Sequence, residues 1–162
     1  MAVDMFIKIG DIKGEAKDAK HKAEIDVLAY SWGMSNSGTT HMGGGGGSGK
    51  VSVQDLSFTK YVDAASSALM GHCASGKHIP EATLVVRKAG GDKALEYITV
   101  KMTDLLVTSV STGGSGGEDR LTENVTLNFA KFEYTYKEQA KGGGQEGGDK
   151  KTGWNMAENV KV

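Results

Sequence analysis

A long alternating segment in the last third of the chain predicts a β-strand whose inward face changes partway along. The apolar positions are first odd-numbered and then even-numbered: Leu121, Val125, Leu127 and Phe129, followed by Phe132, Tyr134 and Tyr136. Side chains alternate along a strand, so this change requires a bulge near Ala130 and Lys131 or burial of both faces. The segment is longer than a usual strand and can belong to two sheets in turn.

Alternating patterns elsewhere predict further strands separated by glycine-rich turns. They cover residues 3–9, 25–34, 51–61, 82–87, 95–102 and 105–110, the last two separated by a bend at 103–104. The apolar phase of the third run shifts between Val53 and Leu56. One helix follows this run, with Asp63 as its predicted N-cap and Gly76 as its stop. Many short strands and one side helix predict a mainly β fold, an antiparallel two-sheet sandwich or small barrel.

The run at 25–34 is apolar on both faces, which exceeds what a solvent-facing antiparallel strand needs. One face carries Leu28, Tyr30, Trp32 and Met34, and the other carries Ile25, Val27, Ala29 and Ser31. Two interpretations remain open. Either the helix and a long loop cover the second face, or a neighbouring subunit covers it.

Length and charge narrow the class of protein. A chain of 162 residues is expected to form one domain over residues 1–162. The net charge of -1 argues against nucleic-acid binding, which favours a basic excess. The 24 glycines stand largely in runs at 43–49, 113–117 and 142–148, so they punctuate a folded chain. Residues 35–50 are predicted to be an extended glycine-rich loop and 138–152 a variable glycine-rich linker.

Cysteine use and the N-terminal pattern bear on location. The lone Cys73 excludes an internal disulfide and is typical of folding in a reducing compartment. The first residues alternate instead of forming the apolar centre of a signal peptide. No stretch approaches the ~20 apolar residues of a membrane span. We therefore expect no membrane insertion, and any export to proceed without a cleaved signal.

Two glycine motifs resemble catalytic loops without their required context. Gly44 to Lys50 has phosphate-loop spacing, but Val51 replaces the serine or threonine that holds magnesium, and a strand pattern follows. Gly113 to Gly117 has the spacing of a serine-hydrolase elbow around Ser115. A hydrolase elbow needs a histidine later in the chain and a helix directly after it. Here all four histidines precede Ser115, and a strand pattern follows the glycines. We predict no enzymatic activity.

The remaining candidate ligands do not form a metal set. His72 and Cys73 are adjacent on the predicted helix and point about 100° apart, and no second cysteine joins them. His78 is expected at the surface and Cys73 as a small buried hydrophobic residue. Glu123 and the carboxylates at 118 and 119 are expected to be solvated or to accept hydrogen bonds from the glycine turn. No cofactor or metal is predicted.

Several segments resemble the haemolysin-coregulated protein family, which builds the tail tube of bacterial type VI secretion systems. They are the opening strand at 1–11, Tyr-Ser-Trp-Gly from Tyr30, Asp-Leu-Ser-Phe-Thr-Lys-Tyr from Asp55, Cys-Ala-Ser-Gly-Lys-His from Cys73, the stretch 113–131 and Gly-Trp-Asn from Gly153. The stretch 113–131 is the most characteristic. The loop 11–22 and residues 140–152 match poorly, so no role is carried onto them.

The resemblance implies a phage tail-tube-like, two-sheet β-barrel that assembles head-to-tail into a homohexameric ring. Rings stack into a tube that a spike protein caps and a contractile sheath surrounds. Effector proteins travel in the lumen. The protein is then cytoplasmic before firing and afterwards secreted to the medium or a target cell.

The resemblance also suggests two groups of contact residues. The loop 35–50 resembles a protruding loop that contacts adjoining subunits and rings; the residues selected there are Ser37, His41, Gly44, Gly47 and Lys50. If Leu28, Tyr30 and Trp32 pack into the core, Ala29 and Ser31 face outward, where a lumen can lie. Ser31 is the predicted cargo contact, and a subunit contact is the alternative for the same residue.

Two other classes of function remain to be separated from a structural subunit. One is a monomeric β-barrel that binds a small ligand in an apolar cavity. The other is an enzyme that uses Lys50 or Ser115. The oligomeric state discriminates the ring from the first, and nucleotide binding or hydrolase labelling discriminates it from the second.

Overall fold

A computed structural model describes residues 3–38, 48–88 and 94–162. Its elements, in chain order, are β1 Val3–Ile9, β2 Ile25–Val27, β3 Ala29–Ser31, β4 Met34–Gly38, β5 Ser48–Val53, β6 Leu56–Tyr61, α1 Ser66–Ser75, β7 Ile79–Lys88, β8 Leu95–Thr112, β9 Thr122–Gln139, β10 Gln145–Asn155 and β11 Val160–Lys161. The predicted mainly β class with one helix is confirmed.

The main sheet is antiparallel and has the strand order β11-β10-β9-β8-β7-β1-β2. β6 also pairs with the first half of β9 and carries β3 on its other side, while β4 and β5 form a separate two-stranded sheet. Within the residues described, this ladder does not close into a barrel, because β2 pairs with β1 whereas β3 pairs with β6. The strands instead wrap around a shared core.

Alternating side chains from both halves of the sheet fill this core. Its fully buried members include Ile7, Ile25, Leu56, Phe58, Leu84, Val100, Met102, Leu105, Val125 and Leu127. Helix α1 packs on β8 and buries Leu69 against the core. The helix begins later than predicted, at Ser66, and Asp63 accepts a hydrogen bond from the Ala65 amide instead of capping the first turn. Gly76 ends the helix with φ 66°, as predicted.

The face change along β9 is confirmed, and of the two causes predicted for it, the bulge near Ala130 and Lys131 is not found in the ladder with β8. β9 pairs with β6 over its first half and with β10 over its second half. The ladder between β8 and β9 keeps one register across the change, with Leu105 opposite Phe129 and Thr103 opposite Lys131. β8 changes face at the same level, from buried Met102 to buried Leu105, and Asp104 between them has φ 53°. Two neighbouring strands therefore change face together.

The predicted strand at 25–34 is broken at Leu28, which corrects its two assigned faces. Ile25 and Val27 are buried in the core, whereas Leu28 is 40% exposed. After the break Tyr30 is half-buried against the core, and Ala29 and Ser31 are exposed. Because both faces of this run are apolar, alternation alone does not show where the chain stops pairing with β1 and begins to pair with β6.

Two segments predicted to be irregular contain strand residues where the structure describes them. Residues 35–38 and 48–50 of the predicted loop belong to the hairpin of β4 and β5. The predicted linker 138–152 comprises the end of β9, the turn at 140–144 and most of β10, with a register shift between Glu146 and Lys150. Glycines allow this hairpin because they adopt positive φ, which is 100° at Gly143 and 72° at Gly147.

Candidate assembly and cargo surfaces

The outer face of β3, β6, β9 and β8 presents small uncharged side chains in register. One row runs from Ser31 to Ser57, then to Thr126 and Ser109. The Ser57 and Thr126 hydroxyls lie 3.3 Å apart, within hydrogen-bonding distance. Ser31 is exposed at the outer end of this row. The structure therefore places the predicted cargo contact on an open, uncharged sheet face.

A second uncharged row lies beside the first. It runs from Ala29 to Thr59, then to Asn124 and Ser111. The Thr59 hydroxyl donates a hydrogen bond of 2.7 Å to Asn124 Oδ1. We name these two rows together the neutral face. Of its residues, only Ala29 and Ser31 were predicted from the sequence, because the alternation of one strand does not show which strands pair with it.

The other half of the same outer surface is charged. A row there runs from Lys8 to Thr83, then to Lys101 and Glu133. Lys101 lies 3.6 Å from Glu81 in an exposed ion pair. The outer surface of one sheet thus has an uncharged region and a charged region. Salt screens the contacts that the charged region makes and has little effect on those of the uncharged region.

The hairpin of β4 and β5 stands apart from the main sheet, and its first strand is exposed throughout. Of the residues selected for inter-subunit contact, Ser37 lies in β4 and Lys50 lies exposed in β5. A Cβ at Gly49 would lie 3.0 Å from the Ser37 carbonyl oxygen and closer still to the Ser37 hydroxyl, so a larger residue there requires Ser37 to shift. His41, Gly44 and Gly47 fall outside the residues described. The described part of the predicted loop is therefore an exposed ribbon.

A cleft of about 470 Å³ lies between this ribbon and β10. Its walls include Met34, Val51, Phe132, Thr152 and Trp154. The indole nitrogen of Trp154 is buried and has no acceptor among the residues the structure describes. Asn36 and Lys50 also line the cleft, so it offers both apolar and polar groups on which another chain can bury area.

The catalytic motifs do not acquire their required surroundings. Lys50 lies within β5, where a phosphate loop would need a helix to begin. Ser115 lies in an exposed turn between β8 and β9. His72 Nδ1 is hydrogen-bonded to the Ala68 carbonyl oxygen at 2.8 Å, and His78 Nδ1 lies 2.9 Å from Asp104 Oδ1. Over 3–38, 48–88 and 94–162 no group of three or more histidine, cysteine or acidic residues is arranged to hold a metal ion.

No helix in the described part of the chain is both long and apolar enough to cross a membrane.

Comparisons with known proteins agree on one family. The family model described as "Type VI secretion system effector, Hcp" matches residues 6–136. The chain is 63% identical to "Protein hcp1" of Pseudomonas aeruginosa over 162 residues, covering 100% of both chains. Among solved structures, Hcp1 from Salmonella typhimurium is 42% identical, with a TM-score of 0.83 and 100% coverage of both chains. A second structure, described as a type six secretion system protein, has 32% identity, a TM-score of 0.92 and coverage of 99% of this chain and 100% of that one.

Proposed function

Because the chain belongs to the Hcp family of type VI secretion proteins, we propose that it is a structural subunit of the secretion tail tube. Six copies form a ring, rings stack into a tube, and effector proteins travel in the lumen. The subunit has no catalytic role. It is cytoplasmic before firing and is then exported with its cargo.

The exposed ribbon and the adjacent cleft support assembly. A ring closes through a heterologous interface, in which one patch of each subunit meets a different patch of the next. The hairpin of β4 and β5 offers a projecting patch, and the cleft at Trp154 offers a receiving one. The hairpin residues Ser37 and Lys50 belong to this contact in the proposal.

The neutral face supports a cargo-bearing lumen wall. Ser31 and Ala29 lie on it, and its hydroxyl and amide groups can hydrogen-bond to varied protein surfaces. An uncharged wall does not repel cargo of either sign. In this arrangement the spike protein and the sheath contact the tube at its end and its outer wall, where the charged row is available.

The neutral face can be tested with a matched pair of glutamine variants. Ser31→Gln enlarges a side chain on the neutral face, and Thr83→Gln makes a comparable change on the charged half. The probe is one effector protein of the same secretion system, co-expressed with the chain and co-purified with assembled rings. We expect Ser31→Gln to lower the retained effector while rings persist, and Thr83→Gln to leave it unchanged.

Equal retention by both variants would contradict the lumen assignment of Ser31 without affecting the ring itself. A stable monomer that holds a small molecule in the cleft at Trp154 would instead support the alternative, a ligand-binding β-barrel. The observation that carries the tube proposal is the full-length match to one family together with the exposed ribbon and cleft.

A further inference from the structure

The loop between β1 and β2 is fastened to the outside of the sheet by a cluster of charged side chains. We call residues 13–24 the strap. The strap holds itself together by backbone bonds, including Gly14 N–H to the Ala23 carbonyl at 2.8 Å and Ala16 N–H to the Glu24 carbonyl at 3.0 Å. Ala16 and His21 are its buried members. They cover Phe6 of β1, which is 5% exposed.

His21 is the centre of this attachment. Its ring stacks on Phe6 with centroids 4.5 Å apart and planes 11° from parallel. Nδ1 lies 3.0 Å from a carboxylate oxygen of Glu24, in the strap itself. Nε2 lies 2.6 Å from Glu96, on β8. Two different carboxylates therefore face the two nitrogens of one buried imidazole.

A neutral imidazole carries one N–H and one acceptor nitrogen, whereas an ionised carboxylate only accepts. A neutral ring can donate to Glu24 or to Glu96 but not to both. The remaining carboxylate then faces a nitrogen lone pair, which is repulsive. Only the ring protonated at both nitrogens donates to both carboxylates, and these bonds are then charge-assisted.

Further charged groups lie on the strap and on the strands next to it, and among them Asp18 interacts directly with His21. The strap contributes Asp18, Lys20 and Lys22 in addition to Glu24. β1 contributes Asp4, and β7 contributes Arg87 and Lys88. The Arg87 guanidinium lies 5.2 Å from the Phe6 ring centre, and its positive charge disfavours a second positive charge on His21. Arg87 is paired, however, with Asp18 at 2.5 Å and with Asp4 at 3.2 Å. The positive charge of Arg87 is thus matched locally, and Glu24 and Glu96 are left to His21.

We propose that His21 is a proton-operated latch for the strap. With the ring doubly protonated, the strap is tied to β8 through Glu96 and closed over Phe6. Loss of one ring proton breaks one of the two carboxylate bonds and loosens the strap, while Arg87 and Asp18 keep its other end attached. The proposal concerns the outer side of the subunit and does not depend on the tube function.

Amide hydrogen exchange of the full-length protein tests the latch. Protection factors, corrected for the intrinsic pH dependence of exchange, are measured between about pH 5 and about pH 8, where histidine changes charge. We expect the protection of the Ala16 and Ala23 amides to fall by about tenfold or more on going to the higher pH, as for the loss of a hydrogen bond to a charged group. Amides in the ladder between β8 and β9 should not change over this range.

Two variants assign the change to this cluster. In Glu96→Gln, the side-chain amide can donate to or accept from Nε2, so the strap should stay protected without a pH step. His78→Asn removes another histidine, which contacts Asp104 away from the strap, and should leave the step intact. A pH-independent strap in the wild-type protein would overturn the proposal, as would a step of unchanged size in Glu96→Gln.

Discussion

Lys60 and Glu123 form an ion pair inside the core, between β6 and β9, although the two residues are 63 positions apart. Both side chains are fully buried. Lys60 also contacts Asp63 at 2.9 Å and Ser66 at 3.1 Å, whereas one oxygen of Glu123 has no partner among the described residues. The pair ties the start of α1 to the sheet. Glu123 was expected from the sequence to be solvated or bonded to the glycine turn, and this expectation was wrong.

Removing the positive charge of Lys60 should lower the free energy of unfolding more than neutralising Glu123 does. Lys60→Met leaves Glu123 as a buried unpaired charge, and we expect a loss of about 3–5 kcal/mol in the free energy of unfolding. Glu123→Gln should cost less, because Lys60 keeps Asp63. The double variant Lys60→Met/Glu123→Leu should recover most of the loss. Denaturant unfolding measures all three, and a smaller loss for Lys60→Met than for Glu123→Gln would contradict this ranking.

Gly14 and Gly71 should respond in opposite directions to replacement by alanine. A Cβ at Gly14 would lie 2.8 Å from the Glu24 carbonyl carbon, so Gly14→Ala must displace the strap. Among the described residues outside the backbone of the helix itself, none lies within 4 Å of a Cβ at Gly71, inside α1, where alanine is favoured over glycine by about 1 kcal/mol. Thermal unfolding should show a lower midpoint for Gly14→Ala and a higher one for Gly71→Ala. A lower midpoint for both would mean that the helix site is not open.

The pair of Asp18 and Arg87 should make strap stability depend on acid. The hydrogen bond from Arg87 lowers the pKa of Asp18 from 3.8 to about 2, with a smaller contribution from the Lys20 amide. Since the folded value is the lower one, the stabilisation is complete above about pH 4 and is lost as pH falls from there through about 2. Asp18→Asn should remove this part of the acid dependence. An unchanged acid profile in the variant, measured by hydrogen exchange of the strap, would be inconsistent with the pair.

Asp104 marks the level at which β8 and β9 change face, and its backbone should restrict substitution. Its φ of 53° is strained for a β-branched residue and free for glycine. Both replacements remove the contact to His78, so comparing them isolates the backbone effect. We expect Asp104→Val to be less stable than Asp104→Gly by about 1–2 kcal/mol. Equal unfolding free energies would show that the strand relaxes without cost.

Local patterns predicted the strands better than their partners. The change of face along β9 was visible because Phe129 and Phe132 break a strict alternation. The matching change of face in β8 occurs at Asp104. Aspartate can adopt positive φ, but it does so too seldom for the sequence to predict it. The break at Leu28 was hidden because apolar residues stand on both faces there. Gly143 and Gly147 were a readable signal for a hairpin tip, since glycine supplies positive φ, but a run of glycines also describes a linker.

For the candidate surfaces, too, the exposure of single residues could be predicted from the sequence, whereas the residues beside them on neighbouring strands could not. The exposure of Ala29 and Ser31 followed from alternation once the chain had passed Leu28. The rows that join them to Thr59 and Asn124 depend on pairing between distant strands, which one sequence does not give. The carboxylates on either side of His21 come from residues 3 and 75 positions away, so only the fold brings them together.

Native mass spectrometry of the purified full-length protein tests the proposed ring most directly. We expect a dominant species of about six times the 17.0 kDa chain mass, retained on dilution and at moderate salt. Replacing Trp154 by alanine in the cleft should shift this species toward smaller assemblies. A wild-type protein that remains a single 17.0 kDa chain at every concentration would contradict the account.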